Sequence, residues 1–163
     1  MNVKIRFAVF SICHIAVLRA FLLMSFVRVG GVLSIIEVIH IRSTEIPRFM
    51  SLVDILLSRR SVRKYEPREI PKDVLDKILE AGRQAPSAAN RQPIHFVVLT
   101  DNEIKKELSG GLFNRFIKDS SVAIAGCANT GEILTGKWAV VDATIALQNM
   151  VIAAWAMGVG SCW

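Results

Sequence analysis

The amino-acid sequence predicts one domain of mixed helix and strand, and three observations carry that prediction. Its 163 residues suit a single core, since domains most often run to about 100–150 residues. Apolar positions recur at helical spacing in Val74, Leu75, Ile78 and Leu79, whereas Ile94–Thr100 and Ser121–Ala128 are short apolar runs of strand character. The composition, 52% hydrophobic and 21% charged, excludes a disordered chain.

Residues 1–49 form an apolar, basic extension. Its runs Phe7–Leu18 and Ala20–Val27 are broken by Arg19 and ended by Arg28, and a third run, Val32–Ile36, follows Gly30-Gly31. None reaches the roughly 18–20 uncharged residues of a membrane span. Lys4 and Arg6 imitate the start of a secretory leader, with Ser25 or Gly30 as small residues for cleavage, but Arg19 interrupts the pattern. A signal or membrane anchor, a genuine extra element, and upstream sequence translated from a wrong start all remain open. The abrupt change after Pro47-Arg48-Phe49 favours Met50 as the natural start, with residues 50–163 as the main domain.

Organised sequence begins at Ser51-Leu-Val-Asp54, a capping-box pattern that opens a helix through Leu57. A loop, Arg59–Ile70, leads to Pro71 at the first turn of a second helix, whose end is marked by Gly82 and Pro86. Ile94–Thr100 is a buried strand, Asp101 caps a short helix to Leu108, and Ser121–Ala128 is another buried strand. From Trp138 to Met157 the chain is apolar nearly all round, with Gly158 as its C-cap. Asp142, Gln148 and Asn149 make this a core or dimer-interface helix rather than a membrane span, because an acid at a bilayer centre costs several kcal/mol. Val159–Trp163 opens a further strand.

The formal charge of +6 is concentrated in the extension: residues 1–49 hold six Lys/Arg and two Asp/Glu, residues 50–163 fourteen and twelve. A nearly neutral main domain without a basic stripe argues against nucleic acid and for small-molecule chemistry. Cys13, Cys127 and Cys162 form no CxxC pair and have no histidine at ligand spacing, so neither a metal site nor a disulfide framework is expected. A reducing cytoplasm fits them. His95 and Cys127 read as structural, and Asp142 as a partner for an arginine or a cap on a neighbouring helix.

Two clusters carry chemistry. Arg59-Arg60-Ser61-Val62-Arg63-Lys64 sits where a helix runs into a loop, and guanidinium forks with a serine hydroxyl suit an anion. Extended backbone would put Arg59, Ser61 and Arg63 on one side; the plainer alternative is a solvated basic loop. The second cluster, Ala85-Pro-Ser-Ala-Ala-Asn-Arg-Gln-Pro93, joins a helix to a strand through small residues and two amides, which lets a planar ligand approach the backbone. Gly158-Val-Gly160 begins like a dinucleotide fingerprint, but it lacks the third glycine and follows a helix, so a Rossmann site is disfavoured.

In order, "RRSVRKY", "APSAANRQPIHFVVL" and "KWAVVDATIALQNMVIAAWAMGVGSCW" resemble the nitroreductase family of flavoproteins, from about Ser51 to Trp163. The resemblance implies an α+β fold, a mixed sheet flanked by helices, incomplete at its C-terminal end. It implies a homodimer with FMN in the subunit interface. Arg59 and Ser61 would hold the FMN phosphate, with Arg60 in the same cluster. Arg63 would lie by the N1/C2=O edge, where a cation stabilises reduced flavin. Pro86, Ser87 and Asn90 would reach over the partner's flavin, Gln92 would lie near the same face, and Asn114 matches a polar residue on the pyrimidine edge. Ile94 departs from the family, many members of which carry an aromatic there.

The implied activity is a ping-pong transfer of hydride from NAD(P)H to an electron-poor acceptor such as a nitroaromatic or quinone, with no catalytic side chain and no metal. Dehalogenation or flavin fragmentation on the same fold is the nearest enzymatic alternative. A non-catalytic fragment or membrane-associated remnant is the alternative from another class.

Overall fold

A computed structural model describes residues 32–41, 51–131 and 136–163. The runs Phe7–Leu18 and Ala20–Val27, the leader reading and the Met50 start lie outside the described residues. Helix α1 (Leu52–Ser58) starts as its sequence demands: Ser51 Oγ accepts the Asp54 N–H at 3.1 Å, and the Asp54 carboxylate accepts the Ser51 N–H at 3.0 Å. Helix α2 (Lys72–Arg83) has Pro71 at its cap position.

Gly82 does not end α2. It lies buried inside the last turn, where a Cβ would stand 2.2 Å from Met150 Cε and 2.8 Å from Met150 Cγ. Its role is close helix packing, and a glycine used that way looks in sequence like a terminator. The chain then passes a 3₁₀ turn, Ala88–Asn90, into β2 (Ile94–Leu99). Asp101 caps α3 (Asn102–Leu108), accepting the N–H groups of Glu103 and Ile104 at 2.8 and 3.0 Å.

A second 3₁₀ turn, Arg115–Asp119, precedes β3 (Val122–Asn129). The long apolar segment is α4 (Ala139–Ala156), and Gly158 follows it at φ 78°, a left-handed conformation that suits glycine. Strand β4 (Val159–Cys162) comes next, with all four residues buried.

The sheet is completed by β1 (Val32–Ile41), drawn from the apolar extension, and its order is β2-β3-β1-β4. Strand β1 pairs with β3 from Val32↔Asn129 to Ile39↔Val122, and with β4 from Val38↔Cys162 to Ile41↔Val159. The compositional boundary at residue 50 therefore runs between strands of one sheet.

The expected α+β architecture is present, but the sheet expected to be mixed is antiparallel in every ladder among the described residues. Each ladder joins strands of opposite direction; parallel pairing is confined to an isolated bridge between Ser61 and Ser161.

Two apolar layers cover the sheet. On one face α2 and α4 contribute Ile78, Leu79, Leu147 and Met150 against Val122 and Ile124. On the other, Leu108 and Ile117 cover Leu99 and Ala123. Each large apolar side chain buried in this way contributes about 1.5–3 kcal/mol of transfer free energy. Although Gly136–Ala156 is long and apolar enough to cross a membrane, its buried face packs on α2 and the sheet.

Candidate functional site

The basic cluster is held at two points. At the end of α1, the Trp155 indole N–H donates to Ser58 Oγ at 3.0 Å, tying that helix to the last turn of α4. Beyond it the backbone is extended, and the Val62 N–H donates to the Ser161 carbonyl of β4 at 2.9 Å. Gly160 makes this approach feasible, because a Cβ there would meet Val62 Cβ and Cγ2 at 2.9 Å.

With Val62 turned towards β4, alternation sends Ser61 and Arg63 the other way. Both are exposed, and Arg59, at the same parity, is half-buried. Arg60 is set apart: its guanidinium folds back onto the carbonyls of Leu57 at 3.3 Å and Arg59 at 3.0 Å, at the C-terminal end of α1. Among the described residues no carboxylate pairs with Arg59, Arg63 or Lys64, and the ion pairs of α2 and its end lie elsewhere. Unneutralised guanidinium forks beside a free hydroxyl form a donor set that fits a phosphate monoester.

Arg63 also stands 6.0 Å from the centroid of the Phe116 ring, which packs edge-on against Tyr65 at 6.2 Å. This contact brings the segment carrying Asn114 to the cluster. The same segment presents Leu112 and Phe113 to solvent, 74% and 84% exposed. Sequence reasoning missed those two. The only signal was Gly110-Gly111, which marks a loop and says nothing about exposure.

The second cluster is anchored to the opposite end of α4. Asp142, 4% exposed, accepts the Ala88 N–H with both carboxylate oxygens, at 3.1 and 3.2 Å. It therefore caps a neighbouring 3₁₀ turn, one of its two expected roles. Ser87 Oγ accepts the Gln92 N–H at 2.9 Å, and the Gln92 side-chain amide donates to Asn90 Oδ1 at 3.4 Å. Ala89, Asn90 and Gln92 all adopt positive φ, between 51° and 53°. Such backbone costs of order 1 kcal/mol or more for each non-glycine residue, and the buried carboxylate and serine hold it in place.

The structure thus gathers Arg59, Ser61, Arg63 and the Asn114 segment at one end of α4, and Pro86, Ser87, Asn90 and Gln92 at the other. It does not bring the two groups together. Asp142 lies in the first turn of α4 and Trp155 in the last, about 20 Å apart at about 1.5 Å rise per residue. Trp138, just before α4, and Val141 and Ile145 in its first turns are exposed at one-face spacing, and α1 exposes Leu52, Val53, Leu56 and Leu57.

Comparison with known proteins bears on family and fold. The nitroreductase family model matches residues 56–124 and 134–163. A relative from Methanothermobacter thermautotrophicus, provisionally named an NADH dehydrogenase/NAD(P)H nitroreductase, is 37% identical over 116 residues, covering 70% of this chain and 60% of its own length. The FMN reductase [NAD(P)H] of Bacillus subtilis is 32% identical over 127 residues, covering 65% of this chain and 50% of its own. Among solved structures, an FMN-dependent nitroreductase from Clostridium difficile superposes with a TM-score of 0.62 at 36% identity, covering 68% of this chain and 64% of that one. The chain spans about three fifths of the length of the first curated relatives it matches. Sequence motifs, fold and family model converge, and the chain belongs to the nitroreductase family.

Proposed function

We propose that this chain is the FMN-binding part of a homodimeric oxidoreductase that takes reducing equivalents from NAD(P)H and passes them to a small electron-poor acceptor, a nitroaromatic or a quinone, by a ping-pong scheme. The observation that carries the reading is the extended segment Arg59–Arg63. Val62 is pinned to β4, and Ser61 and Arg63 face outward with Arg59 at the same parity, unpaired with any carboxylate among the described residues.

FMN, when bound, supplies the hydride chemistry. The chain's own residues bind and orient it. Arg59 and Ser61 offer charge-assisted donors to the phosphate, and each such bond contributes about 1.5–3 kcal/mol. Arg63, carried on the same extended segment and 6.0 Å from the Phe116 ring, would place a cation where negative charge grows on reduction. The 85–93 loop belongs to a second site: with about 20 Å of helix between the clusters, its small residues and amides serve the partner's flavin. The apolar stripes of α1 and α4 support that partner contact.

The test is an FMN titration followed by absorbance and by ultracentrifugation. The chain should take up FMN and give the bands of oxidised flavin; a chain that stays colourless at saturating FMN overturns the reading. Arg59→Ala should weaken FMN binding by about one to two decades. Arg63→Ala should act mainly on the midpoint potential, lowering it.

A further inference from the structure

The basic cluster has no strand of its own. It is tied to the fold through β4, by the Val62 N–H and the Ser61↔Ser161 bridge. Strand β4 in turn has β1 as its ladder partner among the described residues, with β3 on the far side of β1. A chain of backbone pairings therefore runs from β3 through Val32–Ile41 to β4 and on to Ser61 and Val62. Six of the ten residues of β1 are valine or isoleucine, the types that favour a strand paired on both sides. Val38 and Ile39 are the positions paired both ways, to Ala123 and Val122 on one side and to Cys162 and Ser161 on the other.

The geometry points to the segment Val32–Ile41 as a positioning element of the anion site: a central strand without which β4, and the arginine segment hung on it, lose their attachment to the sheet. The inference rests on the flavin reading for the identity of the anion, but not for the strand itself. Without β1, eight positions of β3 and four of β4 present unpaired backbone edges, which folded proteins avoid. An apolar stretch with leader-like neighbours thus acquires a role in the folded domain.

Amide exchange on the full chain tests the strand directly. Residues 32–41 should be protected together with 122–129 and 159–162. Exchange of 32–41 at the rate of unstructured chain, with β3 and β4 still protected, overturns the inference. The link to the site is tested with Val38→Pro, which removes a ladder N–H, and with Val38→Ile as the conservative control.

The readout is the ratio of FMN to riboflavin affinity, which reports the phosphate contacts and not overall stability. Val38→Pro should lower that ratio by about one to two decades for each phosphate bond lost and expose 159–162 to exchange, while Val38→Ile leaves both as they are. An unchanged ratio together with unchanged protection of β4 sinks the proposal. If Val38→Pro unfolds α2 as well, Ile41→Pro, at the end of the β4 ladder, supplies the milder break and must lower the same ratio. If the unaltered chain binds no flavin, the functional reading fails, and exchange alone decides the strand.

Discussion

Asp142 and Ala88 are 54 residues apart in sequence, yet the buried carboxylate of the first takes the backbone N–H of the second with both oxygens. Three residues of the loop, Ala89, Asn90 and Gln92, stand in left-handed backbone behind this bond. Asp142→Ala should leave the Ala88 N–H unsatisfied and destabilise the chain by about 1.5–3 kcal/mol. Asp142→Asn, which keeps a neutral acceptor, should cost about half as much. Urea midpoints give the order, and equal losses for the two variants would show that the charge contributes nothing.

Helix propensity alone favours Gly82→Ala by about 1 kcal/mol. The packing of Gly82 on Met150 reverses that expectation, since a Cβ would fall 2.8 Å from Met150 Cγ, an atom too near the backbone to swing away. A loss of about 1–3 kcal/mol is expected. In a Met150→Ala background the same substitution should become neutral or stabilising. A double-mutant cycle in thermal melts measures the coupling, and simple additivity would refute it.

Lys105 is 3% exposed and donates to the carbonyls of Ser120 at 2.6 Å and Ser121 at 3.2 Å. Lys105→Met should remove the ammonium donor from both carbonyls and cost about 1–3 kcal/mol. Burial pushes the Lys105 ammonium below the usual lysine range, with the Asp101 carboxylate partly offsetting it. In the unfolded chain the proton is kept up to about 10.5. Between the depressed value and that one, the unfolded state binds more protons, so this group makes stability rise with pH. The gap between the unaltered chain and Lys105→Met should widen as pH climbs through that window. A gap that narrows would contradict the burial argument.

Val141 and Ile145 are 46% and 37% exposed on the stripe of α4 assigned to the partner subunit. Val141→Asp and Ile145→Lys should convert a dimer to a monomer at micromolar concentration while far-ultraviolet circular dichroism stays unchanged. Light scattering after size exclusion gives the mass, and a retained dimer mass in both variants would remove this face from the interface.

What could be read from sequence divides by range. Ser51 with Asp54, Asp101 with Glu103 and Ile104, and Gly158 after α4 were legible because each bond closes within a few residues, where side-chain type dictates geometry. Extended backbone alone predicts Arg59, Ser61 and Arg63 on one side, and Ser61 and Arg63 are both exposed. Three things were not legible. Gly82 looked like a terminator because its partner, Met150, sits on another helix. Asp142 had two candidate roles because its partner is a backbone amide, which carries no side-chain signature. Val32–Ile41 reads in sequence as leader, extra element or wrongly started translation because its partners lie at 122–129 and 159–162, and pairing over such distances leaves only a β-branched composition behind.

The pairing of Val38 with Cys162 also sets a timetable. During synthesis at about 5–20 residues per second, the isoleucine- and valine-rich segment Val32–Ile41 is made seconds before residue 162 exists. Its ladder with β3 must wait for residues 122–129, and the join to β4 for residues 159–162. Contacts so distant in sequence form slowly, because the intervening loop must be closed first. Throughout that interval the backbone edges of the unfinished sheet stay unpaired, which gives aggregation its best opportunity before the fold is complete.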